Sequence, residues 1–296
     1  MSTSASPVSS QGEIGCHPET DSSLCELQQL HERLVALDHL DAAFGGSHSE
    51  EFTNAADLRI YDRVKALRTR LEAANAEIYQ SLRSDIRGGE PRTLLQWLQD
   101  PSTQKESGSP LPGLGFDTRD ELASGILELR EPSESNHRRS REMAPYQPTP
   151  VRHILHLIAA DVLSQDDILV DLGSGLGHVP LLVSMLTGVR SLGIEVQPDY
   201  VASAQESARS LHLSRVGFLS GDARTADLSC GTVFYLYSPF AGSILTEVLR
   251  TLRRRSTHRS IKICSLGPCT FTIANETWLT ARTPPDTGRI TVFEPR

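Results

Sequence analysis

From Val151 onward, short apolar runs alternate with stretches of helical period, and this alternation constrains the fold more than any other feature. The runs Ile168–Leu172, Ser191–Val196, Val216–Ser220, Thr232–Tyr237 and Ile261–Leu266 read as strands. Helical stretches separate them at Val179–Leu186, Pro198–Leu211 and Ala241–Leu252, and a helix marked by Val151, Ile154, Leu155 and Ile158 precedes them. Strands and helices of this length in alternation predict an α/β fold, a parallel sheet with helices on both faces. Phe271–Ile273 and, after the turn-like PPDTG, Arg289–Phe293 predict a final antiparallel pair. The expectation is a doubly wound, seven-stranded, mostly parallel sheet.

Before Val151 the chain reads as helices. Ser23 with Glu26 fits a capping box, and Leu24, Leu27, Leu30, Leu34 and Leu37 follow at helical spacing. A GGSHSE loop ends this element, and a longer helix is predicted to start after Thr53 and to stop at Gly88-Gly89. Pro91 opens a short helix with Leu94, Leu95, Trp97 and Leu98, and Pro101–Gly115 reads as a loop. Thr118 with Glu121 makes a second capping box before Leu122 and Ile126. The polar, proline-dotted connection after it has no period, and such long connections are usually lids or linkers. These boundaries divide the chain into a disordered tail (1–20), a helical cap or dimer surface (21–130), a lid-like linker (131–150) and an α/β domain (151–296).

Composition excludes some functions. Among 296 residues, 38% are hydrophobic and 22% charged, as in ordinary soluble domains. No apolar run reaches the ~18–20 residues that span a bilayer, so no membrane partner is expected. The net charge of −8 speaks against free nucleic acid as a partner. Arg138–Arg141 and Arg253–Arg255 read as solvated faces. The five cysteines have no metal spacing, and reduced thiols in a cytoplasmic protein are the simplest account, with Cys264 and Cys269 as packing residues. His153 and His156 lack partnering ligands, so no metal is expected.

The chemistry concentrates in Val170–Val179, which reads VDLGSGLGHV. Gly173, Gly175 and Gly177 lie between the first strand and its helix, where they permit a sharp turn and close approach to a ligand. Glu195 ends the second strand and can accept both hydroxyls of a ribose. Asp222, followed by Ala223 after the third strand, can bond the exocyclic amine of an adenine. Tyr235, Tyr237, Ser238, Pro239 and Phe240 form an aromatic and proline shelf at the end of the fourth. A dinucleotide fingerprint would be GxGxxG, but here the third glycine comes one residue early and His178 takes its place, as a capping or surface residue. Asp171 would repel a pyrophosphate and suit a cation, such as the ammonium and sulfonium of S-adenosylmethionine.

VDLGSGLGHV, GIEV and GDA, in this order, resemble the cofactor motifs of class I S-adenosylmethionine-dependent methyltransferases from about Tyr146 to the C-terminus. VDLGSG, GIEV, TVFYLYSPFAG and IKICSLGP are also similar in order and spacing to the non-SET histone lysine methyltransferases of the disruptor-of-telomeric-silencing type. That family's Asn-containing motif is replaced here by Tyr237-Ser238, and its basic tail has no counterpart, so histone specificity is not carried over. The resemblance implies S-adenosylmethionine as cofactor. Asp171, Gly173, Ser174, Gly175 and Gly177 would lie at its amino-acid end, Glu195 at the ribose, and Asp222 with Ala223 at the adenine. Tyr237, Ser238 and Pro239 would face the methyl group. Tyr146 and Thr149, in MAPYQPTP, would belong to a segment closing over the cofactor, with Tyr146 and Tyr237 as catalytic candidates. The acceptor is a small molecule or a protein side chain, and the N-terminal helices can make a homodimer. The rival readings are a nicotinamide-dependent oxidoreductase and a non-catalytic binding module.

Overall fold

The structure, a computed structural model, describes residues 29–44, 55–104, 116–131 and 142–296. The tail, the Ser23–Glu26 capping box, the GGSHSE loop, Cys16, Cys25, the Arg138–Arg141 cluster and much of the polar connection lie outside these residues. The chain forms two compact units, one up to Asn75 and one over Ala76–Arg296.

The first unit holds α1 (Leu30–Phe44) and the start of the long α2 (Ala55–Arg87). Its two helices meet through polar contacts. Arg33 Nε donates to Asn75 Oδ1 at 2.7 Å where both are buried, and Arg68 pairs with Asp41 and Glu72, each at 2.8 Å.

The second unit begins with the end of α2, then α3 (Arg92–Gln99), a 3-10 turn (Pro101–Gln104) and α4 (Thr118–Leu127). The helix expected to start from a Thr118–Glu121 box instead starts one residue earlier. Asp117 is its N-cap and accepts from Arg119 N at 2.9 Å, while the Asp120 carboxylate accepts from Asp117 N at 2.8 Å. A carboxylate has two oxygens to offer, and Thr118 is fully buried inside the helix. The other Asp120 oxygen accepts from Val151 N at 2.8 Å, the first helical amide of α5 (Val151–Ala159), so one side chain caps two helices.

The sheet follows: β1 (Ile168–Leu172), α6 (His178–Thr187), β2 (Arg190–Glu195), α7 (Pro198–Ser210), β3 (Val216–Ser220), β4 (Val233–Tyr237), α8 (Gly242–Ser256), β5 (Lys262–Leu266), α9 (Cys269–Ala274), β6 (Leu279–Ala281) and β7 (Thr291–Pro295). Strand order is β3-β2-β1-β4-β5-β7-β6, with β7 antiparallel to both neighbours and the first five strands parallel. The seven-stranded, doubly wound expectation therefore holds, with one correction: Phe271–Ile273 is helical, in α9. The strand that pairs with the last one is Leu279–Ala281. Thr270 is tied back to Ser265 by a hydroxyl pair at 2.8 Å, which starts a helix directly after β5.

β1 and β4 are buried but for Ile168 and Tyr237 at their ends, and apolar but for Asp171 and the tyrosine hydroxyls, as a central parallel sheet requires. On α8, Leu245, Val248, Leu249 and Leu252 recur at helical spacing and pack with Phe234, Leu236 and Ile263 in one core. Each such side chain contributes about 1.5–3 kcal/mol by leaving water. Strand order turns back at β1, between β2 and β4, which opens a crevice at the carboxyl ends of the strands. No helix among the described residues is long and apolar enough to cross a membrane.

Candidate active site

The crevice is a cleft of about 1380 Å³ that runs past the ends of β1, β2, β3, β4 and β5. Gly173, Gly175, Glu195, Asp222, Ala223, Tyr237, Ser238, Pro239 and Tyr146 all line it. A side recess of about 30 Å³ shares Tyr146, Gln147, Gly173 and Tyr237 with the cleft and adds Asp171, Ser174 and Thr149. The structure thus brings together most of the residues singled out from the sequence. Gly177 lies behind the loop, against Phe218, and Tyr235 is buried core rather than shelf, its phenol 3.2 Å from the Thr149 hydroxyl.

The three loop glycines all have positive φ: +81° at Gly173, +53° at Gly175 and +86° at Gly177. A Cβ on them would meet protein, not an open ligand space. It would stand 2.3 Å from Pro239 Cβ at Gly173, 2.2 Å from the Tyr146 ring at Gly175 and 2.5 Å from the Phe218 ring at Gly177. The alternation of glycines therefore follows from the turn and from three side chains that close on its backbone.

Four amides of this loop are already spent. Gly173 N and Ser174 N both donate to Ile194 O, at 2.8 and 3.0 Å. Gly175 N donates to Glu195 Oε2 at 3.0 Å and Gly177 N to Ser174 O at 2.8 Å. Glu195 is anchored a second time by Gln197 N at 2.9 Å, so the loop and the end of β2 are one hydrogen-bonded unit. A turn whose glycine N–H groups are all turned onto protein acceptors has no nest left for a phosphate.

Electrostatics point the same way. Asp171 is 4% exposed, and burial, then the Glu195 charge, push its pKa well above the ordinary carboxylate range. Two carboxylates at the ends of adjacent strands make a field that favours a cation. Beside them in the recess, Gln147 Nε2 and Ser174 Oγ are buried and have no hydrogen-bond partner. Buried polar groups are rarely left so, and a bound polar group is the ordinary remedy.

The segment before the sheet straps across the cleft. Met143 bridges to Phe240, Ala144 N donates to Pro239 O at 3.0 Å, and Ala241 N to Glu142 O at 2.8 Å. The Glu142 carboxylate caps α8 through Ser243 N, Ser243 Oγ and Ile244 N, contacts that pull its pKa down. These bonds place Tyr146 over Gly175, edge-on to Tyr200 with ring centroids 5.1 Å apart. The Tyr146 hydroxyl lies 3.2 Å from His178 Nδ1. Burial holds the phenol protonated and lowers the His178 pKa to about 4, so the pair is neutral at pH 7. His178 is therefore a partner of Tyr146 and more than a surface cap.

Two expected contacts are partly committed. Asp222 holds Arg224 in a two-pronged ion pair, with Nη2 at 2.6 Å, and also takes Arg224 N at 2.9 Å. Ser238, at φ +42°, ties the loop after β4 to the loop after β5: its Oγ donates to Leu266 O at 3.1 Å and accepts from Cys269 N at 3.0 Å. Gln147, Arg152, Gln197 and Tyr200 also line the cleft and were not singled out from the sequence. Tyr200 had a readable signal, since the first turn of a helix directly after β2 faces the same strand ends. Among the described residues no cluster of three or more His, Cys, Asp or Glu is placed to hold a metal.

A family model described as "Histone methylation protein DOT1" matches residues 137–227, a span that ends just past Asp222. No curated protein matches the sequence. Among solved structures, the chain is similar to an RNA methyltransferase from Salinibacter ruber in complex with S-adenosyl-L-homocysteine, at 26% identity over 50% of this chain and 92% of that one, with a TM-score of 0.42. A SAM-dependent methyltransferase from Aquifex aeolicus overlaps 48% of this chain and 88% of its own at 17% identity and TM-score 0.40. The PH0226 protein from Pyrococcus horikoshii OT3 overlaps 49% and 89% at 16% and 0.41. The strand order and the glycine turn, rather than these overlaps, carry the fold assignment. The chain has the class I S-adenosylmethionine-dependent methyltransferase fold, and over residues 137–227 its sequence likeness is to the DOT1 family.

Proposed function

We propose that this chain is an enzyme that takes a methyl group from S-adenosylmethionine and gives it to an acceptor bound beside Tyr237. The observation that carries the reading is the state of the glycine turn. The amides of its three glycines and of Ser174 are engaged and two carboxylates stand beside it, so it favours a cationic nucleoside over a pyrophosphate. Each misplaced anion pair at ~4 Å costs roughly 1–4 kcal/mol at the effective dielectrics of such sites.

The residues fit the cofactor. Asp171 would take its ammonium, while the unpartnered donors of Gln147 and Ser174 suit its carboxylate. Glu195 is held rigid by two backbone amides and keeps lone pairs for the ribose hydroxyls. Near Asp222 and Ala223 the adenine would lie, with Asp222 sharing itself between base and Arg224. When bound, the cofactor would supply an activated methyl group on a sulfonium, with a neutral thioether as leaving group, to the acceptor's nucleophilic atom. The chain's own work is alignment and exclusion of water. Tyr146 and the strap cover one side, and Tyr237, whose pKa is raised by burial, presents a neutral phenol to the acceptor.

The test is incubation of the purified chain with methyl-labelled S-adenosylmethionine and cell extract. The reading expects label to move to an acceptor, and to stop moving in Glu195→Ala. Binding of the cofactor with no transfer to any fraction would make the chain a binding module instead.

A further inference from the structure

Among the described residues, four other than glycine have positive φ: Glu128, Asp161, His212 and Ser238. The first three stand within two residues of a helix end, where a left-handed residue is a common terminator. Ser238 follows a strand, β4, and the next residue is a proline. A side chain makes its φ of +42° unfavourable, and a following proline favours extended backbone instead. A backbone held against both preferences is fixed by its surroundings, and such positions gather at functional sites.

The surroundings that fix it are specific. The Ser238 hydroxyl donates its one proton to Leu266 O at 3.1 Å and accepts from Cys269 N at 3.0 Å, which holds the turn after β5. That turn is shaped around it: a Cβ at Gly267, where φ is +82°, would stand 2.6 Å from Ser238 Oγ. Pro239 packs against the glycine turn, its Cβ 2.3 Å from where a Cβ of Gly173 would be, and its carbonyl accepts from Ala144 N of the strap at 3.0 Å. The dipeptide Ser238-Pro239 therefore touches the β5 turn, the glycine turn and the strap, three segments that line the cleft together with Tyr237.

From this junction, and resting on the methyl-transfer reading, we infer that Ser238 is a positioning residue for the transfer, one whose hydroxyl locks these three segments into a single arrangement and binds neither the methyl group nor the acceptor. Its only proton is spent on Leu266 O, so it has none to give a ligand. An in-line displacement tolerates little misplacement, so loosening the lock costs rate. Cofactor affinity stays, because Asp171 and Glu195 keep their places within β1 and β2, with Glu195 tied to two backbone amides.

The experiment uses the full chain. Ser238→Ala removes both bonds, and Ser238→Gly removes them while relieving the backbone. By calorimetry both should bind S-adenosylhomocysteine within about threefold of the parent. With saturating methyl-labelled S-adenosylmethionine and one fixed cell extract as acceptor source, both should transfer label roughly tenfold to a hundredfold more slowly. Ser238→Thr, which keeps the hydroxyl, should recover part of that rate. Deuterium exchange at the Ala144 amide adds a readout that needs no acceptor. Its bond to Pro239 O is untouched by these substitutions, yet it should exchange faster in Ser238→Ala and Ser238→Gly, with Gly173 N protected as in the parent. Transfer at the parent rate in Ser238→Gly, unchanged exchange at Ala144, or a loss of S-adenosylhomocysteine affinity as large as the loss of rate would each overturn the inference. A parent chain that binds S-adenosylhomocysteine and transfers no label refutes the methyl-transfer reading instead, and the exchange at Ala144 then decides the lock by itself.

Discussion

At the residue scale, the loop shows how little of a glycine pattern is explained by ligand alone. Gly177 sits at φ +86° with Phe218 and Ala204 packed where its side chain would be. Gly177→Ala should therefore destabilise the unit by about 2–4 kcal/mol, from the left-handed backbone and the overpacked ring together, read as a shift in denaturation midpoint. Gly175→Ala acts differently: its methyl would displace the Tyr146 ring, so cofactor affinity falls more than stability does, a comparison of calorimetry with thermal melting. Asp171 carries a pH signature. Its pKa is raised in the free protein, and its attraction for a cation is present only while it is ionised. Affinity for S-adenosylmethionine should weaken as pH falls through that raised pKa, and Asp171→Asn should weaken binding and flatten the dependence.

At the element scale, the caps decide where helices begin, and they also show where sequence reading stops. β1, α7 and β3 begin where the pattern places them, because apolar runs and Pro198 give sharp signals. Asp117 and Thr118 are both good caps, and only the placement of Asp120 between two helices decides for Asp117. Cys269–Ala274 is apolar enough for either state, and its helix is set by tertiary bonds to Ser238 and Ser265 that no local pattern contains. The Asp120 cap has a consequence for stability. Burial raises its pKa to about 6 from an unfolded value near 4, so the folded state binds the proton more tightly. Stability should thus fall as pH rises from about 4 to 6, and Asp120→Asn should remove that slope while costing about 1 kcal/mol of capping. Urea midpoints across this window check both.

At the scale of the whole molecule, strand order gathers residues that are far apart in the chain. Asp171, Glu195, Asp222 and Tyr237 were legible because each stands at a strand end, and parallel strands deliver their ends to one edge. Gln147, Arg152 and His178 were not legible as site residues. Their roles come from the strap laid across β4 and from the turn of α5, which depend on Glu142 and Pro239 contacts made across about a hundred residues of sequence. On the proposed function, this assembled edge selects a cationic nucleoside. Isothermal titration of the full chain with S-adenosylmethionine, S-adenosylhomocysteine and NAD, side by side at pH 7.5, tests it most directly. Saturable heats are expected for the two S-adenosyl compounds and none for NAD. Saturable binding of NAD with no response to either S-adenosyl compound would contradict it.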